Sequence, residues 1–172
     1  MSQLRSVENP RFAHFQRELV QALPRLRSFA RPYCGTAADA DDAVQLTCER
    51  ALQRWQQWNG DGTLEHWLLK ILVNAWRDER RYRNVRAGFG ATPIELAEDG
   101  ERGAEATLYL DQVRTEILRL PDGQREVLLL VVSEGLSYKE TAEVLGVPVG
   151  TVMSRLARAR QQLVAVFGER DA

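Results

Sequence analysis

Three arginines in the last part of this 172-residue chain are the first candidates for chemistry. Between Val144 and Gly168 the only charged residues are Arg155, Arg158 and Arg160. A guanidinium donates two parallel hydrogen bonds to a phosphate or to the edge of a guanine, so arginines without acidic neighbours suit such ligands. The pattern therefore predicts a surface that binds a phosphate-rich polymer.

The elements expected to carry these arginines form a helix-turn-helix. Ser137 and Glu140 have the spacing of a capping box, which begins a helix, and Gly146 is expected to end that helix. A last helix is expected to begin at about Gly150 and to bury one stripe, formed by Val152, Leu156, Ala159 and Leu163. Its opposite face is small or polar, as in a helix that enters the major groove of DNA. We therefore predict that this helix-turn-helix binds DNA.

The arginines on the outer side of the last helix are expected to make two kinds of contact. Arg158 lies within this face and is expected to contact a base edge, whereas Arg155 and Arg160 flank it and are expected to hold phosphates. A three-helix module that binds another protein, and whose arginines are only hydrated, is the alternative interpretation of this pattern.

A second candidate surface is the helix predicted from Thr63 to about Arg83. It contains two tryptophans and ends in four arginines, and Asn74 and Asp78, four residues apart, share one of its faces. An amide can hydrogen-bond the edge of an unpaired base, aromatic and guanidinium planes stack on bases, and a row of arginines follows the phosphates. The pattern suits a surface for melted DNA, although buried tryptophans beside a hydrated helix end have the same appearance.

The chain as a whole is predicted to be all-α, with two small helical domains. Apolar spacing indicates a first helix over 12–30, with a kink or break just before Pro24. Residues 85–106 contain glycines, a proline and acidic residues without apolar periodicity, which predicts a flexible linker. The expected domains are therefore 1–84 and 107–172, and the second contains the helix-turn-helix.

Two more helices are expected in the second domain before the helix-turn-helix. The first runs from Leu108 to Leu120, with Leu110 turned inward, and the next begins at Pro121-Asp122. The run from Val127 to Val132 is apolar almost all round, which predicts that it is deeply buried.

Composition and charge fit a globular protein and argue against several functions. The formal net charge is −1, and no apolar run approaches the ~20 residues that span a bilayer, so we expect a cytoplasmic protein without membrane insertion. Cys34 and Cys48 are too few for a disulfide framework and are expected to be reduced. The histidines and cysteines lack metal-ligand spacing, and neither a glycine-rich phosphate loop nor a nucleophile–base pair is visible. We expect no enzyme, metal, cofactor or small-molecule substrate.

Three segments together make the chain resemble the extracytoplasmic-function sigma factors, the smallest class of bacterial promoter-recognition subunits. The segment from Ala40 to Leu52 resembles the polymerase-binding helix of that family, and the segment from Trp67 to Arg83 resembles its minus-ten helix. The segment from Leu120 to Arg160 resembles its minus-thirty-five domain. The resemblance implies a non-catalytic subunit that binds core RNA polymerase, recognises the minus-thirty-five and minus-ten elements of promoter DNA, and melts the latter.

The resemblance also implies roles for individual residues. The helix that docks on the clamp helices of the largest polymerase subunit would present Asp41, Asp42 and Gln45. The minus-ten element would contact Trp58, Asn59, Asn74, Arg77, Asp78 and Arg81. Of these, Asn74 and Asp78 would hold a flipped base together with the turn from Trp58 to Gly62. The minus-thirty-five element would contact Thr151, Met153, Ser154, Arg155, Arg158 and Arg160. An anti-sigma protein wedged between the domains is the further partner that the resemblance implies.

Three positions depart from the pattern of the family. Leu46 stands where an acid is usual, Cys48 replaces an aromatic or large aliphatic residue, and Met153 stands where a lysine or arginine is frequent. The last change removes one phosphate or base contact, so Met153 marks the position where base preference is least predictable, whereas DNA binding as such is still expected. A helix-turn-helix regulator that binds duplex DNA without polymerase is the alternative function.

Overall fold

The computed structural model describes residues 9–60, 62–86 and 104–168, and all regular structure within these ranges is helical, as predicted. The α-helices are α1 (Pro10–Cys34), α2 (Ala37–Gln53), α3 (Leu64–Arg86), α4 (Ala104–Arg119), α5 (Asp122–Leu128), α6 (Tyr138–Leu145) and α7 (Val149–Phe167). A 3-10 helix (Trp55–Gln57) follows α2, and a π-helical turn (Leu129–Ser133) follows α5. None of the helices in the described ranges has the length and apolar character needed to cross a membrane.

The first helix is continuous across Pro24, so the predicted break there is wrong. The proline ring removes the donor for the carbonyl of Val20, but both residues lie on the exposed side of α1, where water can replace that donor. On the other side Leu19, Leu26 and Phe29 are buried in the core and hold the helix in place. The helix ends at Gly35, which has a φ of 98°.

Glycines form the turn after α2, and a threonine caps the helix that follows it. Gly60 and Gly62 adopt positive φ angles, which a glycine tolerates without strain, and Thr63 Oγ1 accepts a hydrogen bond from the backbone N–H of His66. The apolar residues at helical spacing on the inner side of α3 are buried: Leu64, Leu68, Ile71, Leu72 and Ala75. Together α1, α2 and α3 form the first half of the molecule.

The second half begins with α4, which contacts the body of the protein through its last turns. Leu118 is buried, whereas Leu110 is exposed near the other end of the helix, so the prediction that Leu110 faces inward is wrong. The run after Pro121 is buried only as far as Leu130. Val132 is exposed because the π-helical turn holds an extra residue and rotates the chain out of register.

The helix-turn-helix forms as predicted. Ser137 Oγ accepts from the N–H of Glu140, and the carboxylate of Glu140 accepts from the N–H of Ser137, which completes the capping box of α6. These hydrogen bonds lower the pKa of Glu140. Gly146, in the left-handed conformation, ends α6, and α7 begins at Val149 after Pro148.

The two halves pack against each other rather than standing apart. Helix α3 packs on α6, and α1 packs on α4 and on the π-helical turn. The predicted linker over 85–106 is shortened at both ends, because α3 continues to Arg86 and α4 begins at Ala104. The rest of that predicted linker, 87–103, lies outside the described residues.

Candidate nucleic-acid interface

Helix α7 presents the polar face that the sequence predicted. Val152, Leu156 and Ala159 are buried against the rest of the second half, which fixes the orientation of the helix. The opposite face is exposed and consists of Met153, Ser154, Ala157, Arg158, Arg160 and Gln161. Thr151 and Arg155 are half-buried at its edge.

The arginines of α7 are available for an anionic ligand. Among the ion pairs of the described residues, none involves Arg155, Arg158 or Arg160. Within the described residues, therefore, no ion-paired acid competes with a phosphate or a guanine edge for these arginines. The arrangement fits a recognition helix.

Helix α3 divides its predicted minus-ten residues between two faces. Asn74, Asp78 and Arg81 are exposed and lie one turn apart from one another along one face. Asp78 Oδ2 lies 3.6 Å from Nη1 of Arg50 at the end of α2. Arg77, by contrast, points to the second half of the molecule, where its Nε donates to Glu126 Oε1 over 2.8 Å.

The row of arginines at the end of α3 is mostly engaged inside the protein. Arg77 and Arg80 form ion pairs with acids of α5. Arg83 donates to Glu79 over 2.8 Å and to Asp39 over 2.6 Å, and these bonds raise its pKa. Hydrogen bonding to Glu126 likewise raises the pKa of Arg77. Arg81 remains fully on the outer face.

A cavity of about 430 Å³ opens beside the turn between α2 and α3. Trp55 and Trp58 form aromatic parts of its wall, and Arg11 Nη2 donates to the carbonyl of Trp58 over 3.4 Å. Polar groups on its wall come from Arg11, His14, Glu18, Asn59 and Glu65. Trp58 also packs against Trp67, with ring centroids 6.1 Å apart. The predicted residues Trp58 and Asn59 therefore meet in one concave site.

Two features of this cavity differ from the expectation. Asn74 and Asp78 are not among the residues that line it. Four of the lining residues, Arg11, His14, Phe15 and Glu18, belong to α1 and were missed as site residues by sequence reasoning. The chain carries no local signal for them, because only the packing of α1 beside the turn brings them there.

The residues predicted to dock on polymerase share the outer side of α2. Asp41, Asp42 and Gln45 are exposed, and Gln45 Nε2 donates to Glu49 Oε1 over 3.1 Å. Leu46, the departure from the family pattern, is half-buried beside them. Asp41 and Asp42 give this side of α2 an acidic character.

Both cysteines are free thiols, and no group of three or more potential metal ligands comes together among the described residues. Burial raises the pKa of Cys34 well above its ordinary value and also raises that of Cys48. A buried thiol of this kind is unreactive.

Comparison with known proteins identifies the family. The family model for sigma-70 region 2 matches residues 19–86, and the model for sigma-70 region 4 matches residues 110–163. The ECF RNA polymerase sigma factor EcfG of Rhodopseudomonas palustris is 37% identical over 152 residues, which cover 87% of this chain and 83% of EcfG. The chain belongs to the ECF family of RNA polymerase sigma factors. As a member of that family, this sigma factor acts in transcription initiation.

Solved structures of similar sigma factors have the same fold. The sigma factor RpoE of Bartonella quintana, in complex with the anti-sigma factor NepR, is 29% identical with a TM-score of 0.80, over 90% of this chain and 97% of that one. CnrH, in complex with the cytosolic domain of CnrY, is 29% identical with a TM-score of 0.67, over 95% of this chain and 92% of that one. The two helical regions of this ECF sigma factor therefore have the same fold as the corresponding regions of these relatives.

Proposed function

We propose that this sigma factor binds core RNA polymerase and directs it to promoters by contacting the minus-thirty-five and minus-ten elements and by melting the latter. The observation that carries this proposal is the exposed face of α7. Its arginines have no acidic partner among the described residues, while the opposite stripe is buried. A helix anchored in this way presents one defined face to a DNA groove.

The minus-thirty-five element is proposed to bind α7 in its major groove. Arg158, exposed within the polar face, is assigned the base contact, for which a bidentate arginine–guanine pair supplies ~1–3 kcal/mol of discrimination. Arg155 and Arg160 are assigned phosphate contacts. We assign contacts with the neighbouring bases and the DNA backbone to Thr151, Met153 and Ser154. The exposed thioether of Met153 adds no charge, so it offers only apolar contact.

The minus-ten element is proposed to bind the cavity beside the turn and the neighbouring outer face of α3. Trp55 and Trp58 offer rings for an unpaired base, and Asn59 and His14 offer polar groups for its edge. Arg81, with Asn74 and Asp78, is assigned to the strand outside the cavity. The cavity volume of about 430 Å³ lies within the range of about 300–1,000 Å³ that is typical of small-molecule pockets.

The remaining partners are proposed from the family. The exposed acids Asp41 and Asp42, with Gln45, are assigned to the contact with core polymerase. RpoE and CnrH are described in complexes with NepR and CnrY, so we propose that a regulatory protein of the anti-sigma class also binds this chain. A cytoplasmic location follows from the proposed partnership with polymerase.

Run-off transcription with core polymerase tests this proposal. Promoter fragments from the source genome should yield transcripts only when the full chain and core enzyme are both present, and the chain alone should bind these duplexes weakly. Asn74→Ala should spare core binding but impair opening of the minus-ten region, measured by permanganate reactivity of unpaired thymines. Absence of stimulated transcription on every fragment, together with tight duplex binding by the chain alone, would favour a polymerase-independent regulator instead.

A further inference from the structure

An exposed apolar stripe runs along one side of α7. Its members are Val149, Met153 and Ala157, which follow one another at intervals of four residues and therefore lie on the same side of the helix. Val149 is 41% exposed and Met153 is 53% exposed. Single exposed apolar residues are common on protein surfaces, but a row of three on one helix indicates a contact surface. The core does not account for this apolar stripe, because the buried side of α7 is formed by other residues.

Cations lie beside the apolar stripe. Arg158 directly follows Ala157 in the sequence, Arg160 lies one turn beyond it, and both arginines are exposed. Neither forms an ion pair with another residue in the described ranges. An apolar protein surface seated on the stripe would also remove water from these guanidinium groups, and burial of an unpaired charge is unfavourable. The stripe therefore favours an occupant that carries both apolar and anionic groups.

The major groove of DNA offers both kinds of group. Phosphates line its edges, and each thymine projects a C5-methyl group into it, beside the hydrogen-bonding edges of the bases. A recognition helix brings its N-terminal residues closest to those edges, and Val149 and Met153 lie in the first two turns of α7. Met153 has the longest and most adaptable side chain of the stripe. Because its thioether donates no hydrogen bond, the thymine methyl group is the part of a base edge that it fits best.

We propose that Met153 selects thymine in the minus-thirty-five element by packing on its C5-methyl group, with Val149 and Ala157 on either side of the contact. This inference rests on the proposed binding of α7 to that element and goes further, because it names the base that an uncharged position selects. Arg158 would then contact its base through hydrogen bonds, and Met153 through apolar packing. Burial of one methyl group contributes about fourfold to affinity.

Deoxyuridine in place of thymine tests this proposal, because the replacement removes only the methyl group and keeps every hydrogen bond of the base pair. The probes are labelled duplexes of a promoter that supports run-off transcription, each with one thymine of the minus-thirty-five region replaced, on either strand. Fluorescence anisotropy measures binding of the holoenzyme. We expect replacement of one or two thymines to weaken binding about two- to fivefold, and replacement of the others to leave it unchanged.

Variants of Met153 connect this effect to one side chain. In holoenzyme with Met153→Ser, the sensitive thymines should become insensitive to replacement, since the methyl group has lost its partner. Met153→Leu keeps an apolar side chain and should retain the effect of about two- to fivefold. Val164→Ser is the matched control and should behave as the parent does. It removes an apolar side chain from a residue that is 65% exposed and lies about 16 Å farther along α7.

Circular dichroism checks that every variant remains helical. The proposal is overturned if no replacement weakens binding of the parent, or if Met153→Ser keeps the sensitivity of the parent to replacement. Retained sensitivity together with weaker binding to core polymerase would show that the stripe contacts protein instead of DNA. In each of these cases the parent still supports run-off transcription, whereas failure of the proposed function abolishes it, so the two failures are distinguishable.

Discussion

The guanidinium of Arg155 lies directly on the backbone of Gly123. A β-carbon at Gly123 would stand 3.0 Å from Cζ and Nη1 of Arg155 and 3.1 Å from its Nε, closer than most real contacts of that atom. The glycine belongs to the first turn of α5, and the arginine to the outer edge of α7. Because Gly123 has no side chain, the guanidinium of Arg155, on the proposed recognition helix, can rest against α5.

Gly123→Ala should displace Arg155 by a few tenths of an ångström and weaken the proposed phosphate contact. We expect binding of holoenzyme to a promoter duplex to fall about two- to fivefold, less than the loss of a full charge contact. Alanine favours a helix over glycine, so the folded state should not be lost. The measurement is fluorescence anisotropy of a labelled promoter duplex, with circular dichroism as the check on folding.

The control is Gly123→Ala made in a variant that already lacks the Arg155 side chain. In an Arg155→Ala background, Gly123→Ala should have no further effect on duplex binding, because the two residues act through one contact. An equal loss in both backgrounds would contradict the assignment and would show that Gly123 acts on the fold of α5 instead.

Arg158 and Arg160 should respond differently to truncation. Arg158→Ala removes the proposed base contact, so holoenzyme should lose about 1–3 kcal/mol of discrimination at one or two base pairs. Arg160→Ala removes a proposed phosphate contact, so binding should weaken evenly across sequences and the salt slope should fall by about one. Binding to duplexes with single base-pair changes, at several salt concentrations, measures both. If Arg158→Ala weakened all duplexes alike, Arg158 would not read a base.

The parts of this fold that follow from sequence are those set by short-range rules. Ser137 and Glu140 are three residues apart and cap a helix through their own backbone, and Gly35 and Gly146 end helices because they accept positive φ. These signals need no knowledge of the rest of the chain. The division of α7 into a buried stripe and a polar face follows in the same way from its periodicity.

The features that escaped prediction depend on packing between distant segments. Arg77 and Glu126 are 49 residues apart, and no spacing rule pairs them. The continuity of α1 through Pro24 depends on burial of its other side, which outweighs the loss of one hydrogen bond. His14 reaches the cavity only because α1 packs beside the turn after α2. Sequence patterns identify faces, whereas tertiary contacts decide what each face meets.

Ionisation of Tyr33 should lower the free energy of unfolding at high pH. Burial, and next the carboxylate of Glu126, raise the pKa of Tyr33 above its ordinary value. In the unfolded chain a tyrosine ionises near pH 10, so the stabilisation from Tyr33 is complete below that pH and declines as the pH rises above it.

Tyr33→Phe tests this relation by removing the ionisable group. At neutral pH the variant should be less stable by about 1–2 kcal/mol, because it loses a buried hydrogen bond to a charged acceptor. The gap between the parent and the variant should then shrink above about pH 10. Urea denaturation at a series of pH values measures it, and a gap that stayed constant to about pH 11 would show that Tyr33 titrates normally.

Asp42 tests the proposed contact with polymerase. Asp42→Arg reverses an exposed charge on α2, and a like-charge encounter at an interface is costly, so affinity for core enzyme should fall about tenfold or more. Asp111→Arg, the same reversal at an exposed position on α4, is the matched control and should bind core as the parent does. Both changes are on the surface and should alter the free energy of unfolding by no more than about 0.5 kcal/mol. Equal core affinity of the two variants, measured by fluorescence competition, would move the polymerase contact away from this side of α2.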